Sequence, residues 1–408
     1  MKSKENQGDN NETKKINFKN FVNLYPSIDE IKNFKEENNE GSLAFLKEFY
    51  VKVWGIFSDY AENDILLYDL FSKENDIQSC INQARIGILE TMYSTNINKV
   101  GAIIEIVDEF SPNNKKYRND ESKKCQTTPQ CDNSKDQFTK NCVDCAIEKI
   151  REKNKNNEGK PISEVLSFFS KYCHWYNEAN GFDGLPIYDK NVAVGVVIYK
   201  YFLNENSDKN LTNSKLKKEL NIKIKGNDEK LDLDLDYVIN KAKENLDYNA
   251  VNNAINELFI PDKKVKRVDI KNNELLYNNI SIYRLVDKFL WLSYKIVEQL
   301  LKPKKTNTLG SIPIEVTISY LELLAKVKNK EKEISKLINK IKEINNQNSD
   351  SDKKPSQNKL KKERNQKITN IKNELQKILE KLNTPETQQS IAIIDETPTT
   401  QLQKTLEL

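Results

Sequence analysis

The sequence is poor in glycine, proline and histidine, and each shortage argues against a class of protein. Glycine and proline number 11 each among 408 residues, which disfavours an all-β fold because such folds depend on tight turns rich in both. The single histidine, His174, leaves little room for general-base, histidine-assisted nucleophile or histidine-metal chemistry. The sequence also lacks a P-loop, a G-x-G-x-x-G and a G-x-S-x-G motif. We therefore expect a protein that is not an enzyme.

Long apolar runs are missing as well. No window reaches the roughly 18 apolar residues that span a bilayer, and the longest candidate, 192–203, contains Lys200. The first eight residues lack the apolar region of a secretory signal. The net charge of +4 is mild and comes mainly from lysine, so it permits nucleic-acid binding without favouring it. These observations predict a soluble, cytoplasmic protein without a membrane span.

Apolar residues recur at helical spacing over most of the chain, which predicts a mainly α-helical fold. One helix is expected to begin at Gly41-Ser42 and to run through Trp54, and shorter elements are expected at 65–71, 77–92 and 100–110. The aromatic residues of this region are interpreted as core rather than as a ligand pocket, because aromatics at helical spacing usually pack against neighbouring helices. Changes in composition divide the chain into a disordered lead (1–18), a helical domain (19–110), a cysteine-bearing insertion (111–160), a central helical unit with a β-hairpin (161–302), a coiled-coil hairpin (312–383) and a disordered tail (384–408).

The C-terminal third carries heptad repeats. Residues 313–344 predict one long helix with an apolar row at Tyr320, Val327, Ile334 and Ile341 and companion positions at Leu323, Leu337 and Ile344, interrupted by Lys330. A second run places Ile368, Leu375 and Leu382 in one row and Ile371 and Ile378 in the other. The two runs suit an antiparallel coiled-coil hairpin or two strands of an intermolecular coiled coil. We expect a non-catalytic scaffold or interaction protein that binds a protein partner, or itself, through 312–383.

Residues 211–301 carry an alternative function. Helices are predicted at 212–222, 236–246 and 249–259, followed by a hairpin at 265–282 and an apolar helix at 283–301, which is the order of a winged helix. The third helix is expected to expose amides that suit adenine edges, and the hairpin supplies cations for phosphates. The predicted nucleic-acid-binding residues are Asn249, Asn252, Asn253, Asn256, Lys263, Lys264, Lys266 and Arg267. The acidic connector with Asp232 and Asp234 opposes this interpretation.

Residues 192–221 of the same region resemble the start of the winged helices found in plasmid and phage replication initiators, although no diagnostic motif of those proteins is present. That resemblance implies a replication or regulatory factor that binds nucleic acid. It applies to the alternative function only.

Four of the six cysteines lie in the polar insertion. Cys125, Cys131, Cys142 and Cys145 give C-x5-C followed by C-x2-C, and the second pair has the spacing with which two thiolates share one zinc ion. A polar segment of this kind relies on metal for its folding energy, so a structural zinc site is predicted. Free thiols and disulfides stay open as alternatives. Cys80 is interpreted as core, and His174 as a packed or hydrogen-bonded side chain rather than a ligand.

Overall fold

The computed structural model describes residues 23–36, 39–72, 84–89, 163–203, 240–242, 248–260, 267–270, 279–301 and 312–349. Of this part, 78% is helical, with short antiparallel strand pairs beside the helices, so the predicted mainly α class is confirmed. None of the helices within these ranges has the length and apolar character that a membrane crossing requires. The insertion at 111–160, the helix at 212–222, the second heptad run and both predicted disordered ends lie outside the described residues.

The N-terminal elements form a helical layer. They are α1 (Ile28–Lys32), β1 (Lys35–Glu36), β2 (Asn39–Glu40), α2 (Ser42–Phe49), a π-helix (Tyr50–Trp54) and α3 (Ser58–Ser72). Helix α2 begins where the Gly41-Ser42 signal predicts, and Gly41 adopts a positive φ of 84° there. The sequence analysis did not identify α1, although a capping box marks it: Ser27 accepts from the Glu30 amide and the Glu30 carboxylate accepts from the Ser27 amide.

The central elements surround one long helix. They are α4 (Ser163–Ala179), α5 (Lys190–Phe202), α6 (Tyr248–Phe259), β3 (Arg267–Asp269), β4 (Asn279–Ser281) and α7 (Ile282–Leu301). Helix α7 packs against α5, α2 and the π-helix. Gly195 permits the closest of these contacts, because a Cβ at that position would lie 3.1 Å from the Leu290 Cβ and 3.2 Å from its carbonyl oxygen. The predicted apolar helix and hairpin are therefore present, with β3 and β4 paired antiparallel.

The C-terminal described elements are α8 (Ile314–Lys328) and α9 (Glu331–Ser349), which pack against each other. The prediction of one continuous helix over 313–344 is wrong, because Asn329 adopts the left-handed conformation with a φ of 51° and ends α8. The amide of Lys330 donates to the carbonyl oxygen of Ala325 at 2.9 Å and that of Asn329 to Lys326 at 3.3 Å. These two bonds form a Schellman cap, which turns the chain back within two residues.

Buried apolar side chains from all of these helices and from β3 and β4 join in one core cluster. Its centre is aromatic: the ring of Phe289 on α7 meets those of Phe45 and Phe49 edge-to-face, each at a centroid distance of 5.1 Å. Tyr199 and Phe259 extend the same cluster. The aromatic residues of the N-terminal helices are thus core, as the sequence predicts. Among the described residues, the segments before residue 72 and after residue 312 share this core with the central helices.

Candidate functional site

The predicted heptad residues within the described ranges lie at the contact between α8, α9 and the rest of the core. Tyr320, Leu323 and Val327 are buried on α8, and Ile334, Leu337 and Ile341 are buried on α9. On α9 the opposite face is polar and exposed, with Lys332, Lys336 and Lys342 among its residues. An amphipathic helix of this kind is stabilised mainly by its apolar face, which here rests on α8.

Helix α8 is fixed to the body of the protein by polar contacts. The Tyr320 hydroxyl donates to the Leu24 carbonyl oxygen at 2.7 Å, and Ser319 donates to the Lys52 carbonyl oxygen at 2.7 Å. The Lys328 ammonium lies 3.0 Å from the Glu30 carboxylate. At the other end, the Gln299 amide exchanges two hydrogen bonds with the backbone of Ile312, both at 3.1 Å. Helix α8 therefore packs directly against the N-terminal elements of the core, while α9 packs on α8.

The predicted row of exposed asparagines on α6 is only partly formed. Asn253 is exposed and Asn249 is half-buried. Asn252 is buried, so the expectation that all four amides face outward is wrong for this residue. Asn256 is half-buried and donates to the Asn252 carbonyl and side-chain oxygens at 2.8 and 3.0 Å, while it accepts from the Tyr283 hydroxyl at 2.8 Å. Helix α6 packs against α5, and Tyr283 of α7 donates to Asn256, so part of the face that the sequence leaves polar is in contact with the protein.

Arg267, predicted to contact phosphates, directs its guanidinium toward the protein. It donates to the carbonyl oxygens of Phe182 and Asn279, each at 2.6 Å, and to the Asn279 side chain at 2.6 Å. Its Nη2 atom also lies 3.5 Å from the Glu178 carboxylate. Arg267 thus joins strands β3 and β4 to the end of α4. Lys263, Lys264 and Lys266 lie outside the described residues.

The predicted zinc ligands Cys125, Cys131, Cys142 and Cys145 lie outside the described residues, as does Cys80. Within the described ranges no group of three histidine, cysteine or acidic side chains is placed to hold a metal ion. Cys173 is buried in α4. Zinc binding therefore stays a prediction.

The polar face of α4 binds the loop that follows it. The His174 Nδ1 atom donates to the Leu185 carbonyl oxygen at 2.7 Å, the Asn177 amide donates to the Asp183 carbonyl oxygen at 2.9 Å, and the Ser170 hydroxyl accepts from the Tyr188 amide at 2.9 Å. Residues 170, 174 and 177 share one helix face because they are four and three positions apart. The prediction that His174 is a packed, hydrogen-bonded side chain is confirmed.

The sequence analysis missed a set of buried charges, which we call the buried charged cluster. It holds four cationic and four anionic side chains from α3, α4, α7, β3 and the 180–189 loop: Asp64, Lys171, Glu178, Asp189, Arg267, Arg284, Asp287 and Lys288. Arg284, whose side chain is fully buried, pairs with Asp64 and lies 3.1 Å from Asp287. Lys288 lies 3.4 Å from Asp64.

Aromatic rings complete the surroundings of the two cations on α7. The Arg284 guanidinium lies 4.4 Å from the centroid of the Trp175 ring, and the Lys288 ammonium lies 3.7 Å from that of Trp54. Ring faces attract cations, most strongly where water is excluded. The two tryptophans therefore offset part of the desolvation cost of burying these charges.

Burial shifts the protonation of several of these groups. It raises the pKa of the Glu178 and Asp287 carboxyls, and the neighbouring cations Arg267 and Arg284 oppose the shift. Burial, followed by the charge of Arg284, lowers the pKa of Lys288 to about 8. The same two causes lower the pKa of His174 well below 6.5. The Nδ1–H group of His174 donates to the Leu185 carbonyl oxygen, and the imidazole is neutral at physiological pH.

The cluster joins separate elements of the fold. Each charged group pairs with an opposite charge on another element or one turn away, and breaking such a pair leaves an uncompensated charge in the interior. The sequence carried one signal for it: Asp287 and Lys288 stand three and four positions after Arg284, within the mostly apolar first half of α7. Charges on the apolar face of a buried helix need partners of opposite charge, but the sequence of α7 does not identify Asp64 as the partner of Arg284 and Lys288.

No protein-family model, curated protein sequence or solved structure matches this chain.

Proposed function

We propose that this chain is a non-catalytic helical scaffold that associates with a second copy of itself through its C-terminal helices. The supporting observation is the α8–α9 pair, in which residues spaced by seven along the sequence are buried at a helix–helix contact. The second heptad run repeats this spacing at Ile368, Ile371, Leu375, Ile378 and Leu382. An apolar row of that kind needs a partner helix to cover it.

The position of α8 defines how the proposal is tested. A chain ending at residue 302 would remove Val316, Tyr320 and Leu321, which are almost completely buried, and would open the core. Loss of association in such a truncation would say nothing about the coiled coil. Substitutions within the second heptad run change no residue of the described body and are the better choice.

The decisive variant is Ile371→Glu with Leu375→Glu, which places one charge in each of the two apolar rows. The matched control is Asn370→Glu with Asn373→Glu, which adds the same charge at positions outside both rows. Analytical ultracentrifugation should show a concentration-dependent dimer for the parent and the control, and a monomer for the row variant. A monomeric parent, or a row variant that associates like the control, would refute the proposal.

A second candidate is nucleic-acid binding through 211–282. It is favoured by the β3–β4 pair, which follows α6 and precedes α7 in the chain as a wing follows a recognition helix, and by the exposed Asn253. It is disfavoured by the buried Asn252 and by the internal contacts of Arg267. Charge reversal of Lys263, Lys264 and Lys266 should abolish binding to a short duplex, and binding by the parent should weaken steeply with salt. Equal binding by both proteins, or none by the parent at low salt, would remove this candidate.

A further inference from the structure

The connection between α8 and α9 combines two features that conflict. One apolar row passes through it in register, since Tyr320, Val327, Ile334 and Ile341 keep one phase on both sides, while Lys330 interrupts the companion row. The helix nevertheless stops at Asn329, the non-glycine residue with a positive φ among those described. A left-handed backbone is costly for a residue with a Cβ, although asparagine tolerates it better than most. The local sequence thus favours a straight helix and the tertiary contacts favour a turn.

Helix α9 is attached to the body mainly through α8. Its extensive packing within the described residues is with that helix, through Ile334, Leu337, Ile338 and Ile341. The contacts that hold α8 to the body, from Ser319, Tyr320 and Lys328, involve no residue of α9. Helix α9 could therefore leave α8 while the aromatic core and the buried charged cluster stay closed.

We propose that two copies of this chain exchange α9. In the exchanged form, residues 314–349 make one continuous helix about 50 Å long, and α9 of each copy covers α8 of the other with the same apolar residues. The only large change in each chain is at Asn329, which returns to the right-handed helical conformation. Short, strained hinges favour exchange of this kind because the swapped contacts are already complementary. The inference rests on the proposed self-association and specifies one interface for it.

Two substitutions at the hinge should act in opposite directions. Asn329→Ala penalises the left-handed conformation and favours a continuous helix, so the dimer should form with a dissociation constant at least roughly tenfold lower. Asn329→Gly relieves the hinge strain and disfavours the continuous helix, so the dimer should weaken by roughly tenfold or disappear. The two variants differ only in one exposed side chain, which keeps the comparison of their sedimentation profiles simple.

A distance measurement identifies the exchange itself. Spin labels at Glu315 and Lys342, both exposed, lie on helices that pack against each other after the turn at Asn329, so their separation should be clearly shorter than in one straight helix. In the continuous helix they are separated by about 40 Å along the axis. Doubly labelled chains diluted into unlabelled ones report this distance within one chain. We expect the long distance in the Asn329→Ala dimer and the short one in Asn329→Gly.

Three results would overturn the exchange: a monomeric Asn329→Ala chain, a dimer that keeps the short distance, or a monomer that shows the long distance. Placing the hinge variants in the Ile371→Glu, Leu375→Glu background separates the two proposals. If the long-distance dimer persists there, α9 exchange operates without the second heptad run. Both proposals fail if two results are found together: the Ile371→Glu, Leu375→Glu protein with the native hinge is still a dimer, and the hinge variants keep the short distance.

Discussion

The Tyr320 hydroxyl donates a hydrogen bond to the Leu24 carbonyl oxygen at 2.7 Å, and so joins residues that are 296 positions apart. Tyr320 was expected at a coiled-coil position in a separate C-terminal hairpin, whereas it is 2% exposed in the core shared with the N-terminal helices. Among the described residues, the two ends of the chain therefore depend on each other for burial.

Replacing Tyr320 by phenylalanine should remove this bond and leave a buried carbonyl oxygen without its donor. The free energy of unfolding should fall by roughly 1–3 kcal/mol, as measured by urea denaturation. Tyr60→Phe is the control, because Tyr60 is 37% exposed and a surface change of this size should stay within about 0.5 kcal/mol. Equal effects of the two substitutions would contradict the assigned role of Tyr320.

Asp64→Asn should be one of the most destabilising conservative substitutions in the chain. The variant leaves Arg284 and Lys288 buried on α7 without the carboxylate that pairs with both. Removing one partner of a buried pair costs roughly 3–5 kcal/mol. Asp69→Asn on the same helix is the control, because Asp69 is exposed. A stable Asp64→Asn protein would show that the cluster does not hold α3 to α7.

Gly184→Ala should destabilise the loop after α4, because the new Cβ would overlap the Ser281 side chain. An overpacked buried site typically costs roughly 1–3 kcal/mol. The double variant with Ser281→Gly removes the overlapping atoms and should recover part of that loss. Gly87→Ala is the control, since nothing lies within 4 Å of a Cβ built there. If the double variant is no more stable than Gly184→Ala, the contact is not the cause.

The single histidine permits a direct test of burial. In the unfolded chain His174 takes up a proton near pH 6.5, whereas burial and the charge of Arg284 keep it neutral in the folded chain. The unfolded state then binds more protons, so this contribution to the free energy of unfolding falls as the pH drops below 6.5, by at most about 1.4 kcal/mol per pH unit.

Imidazole signals in NMR spectra of the folded protein should stay unchanged between pH 6 and 8. The loss of stability at low pH should be smaller in His174→Gln than in the parent. The raised pKa values of Glu178 and Asp287 act in the opposite direction to the histidine, but they are present in both proteins and cancel in the comparison. An imidazole that titrates near pH 6.5 in the folded protein would exclude the buried, neutral state.

Local signals were sufficient for several individual elements. The apolar spacing predicted α2, α6 and α7, and the alternation at 265–282 predicted the β3–β4 pairing. The capping box at Ser27 and Glu30 would have identified α1 by the same reasoning. These features depend on side chains within a few residues of one another, and such interactions are readable from the chain alone.

Features that require a partner distant in sequence were missed or misread. Asn252 was predicted to be exposed but is buried, which the sequence of α6 alone does not show. The contacts of Arg267 with Glu178 and Phe182 were not predicted because those residues lie more than 80 positions earlier. The continuous helix over 313–344 failed because packing of α9 onto α8 outweighs the helical preference at Asn329.

The sequence by itself determined the helical class, the places of several apolar helices and the burial of most of their aromatic residues, because periodic apolar spacing dictates which face of a helix leaves water. Only the tertiary structure decided that Asp64 pairs with Arg284 and Lys288, that Tyr320 meets Leu24, and that α9 turns back at Asn329. The physical reason is that a buried charge or hydroxyl takes its partner from whichever element the core brings beside it, and a turn between helices forms where packing repays its strain.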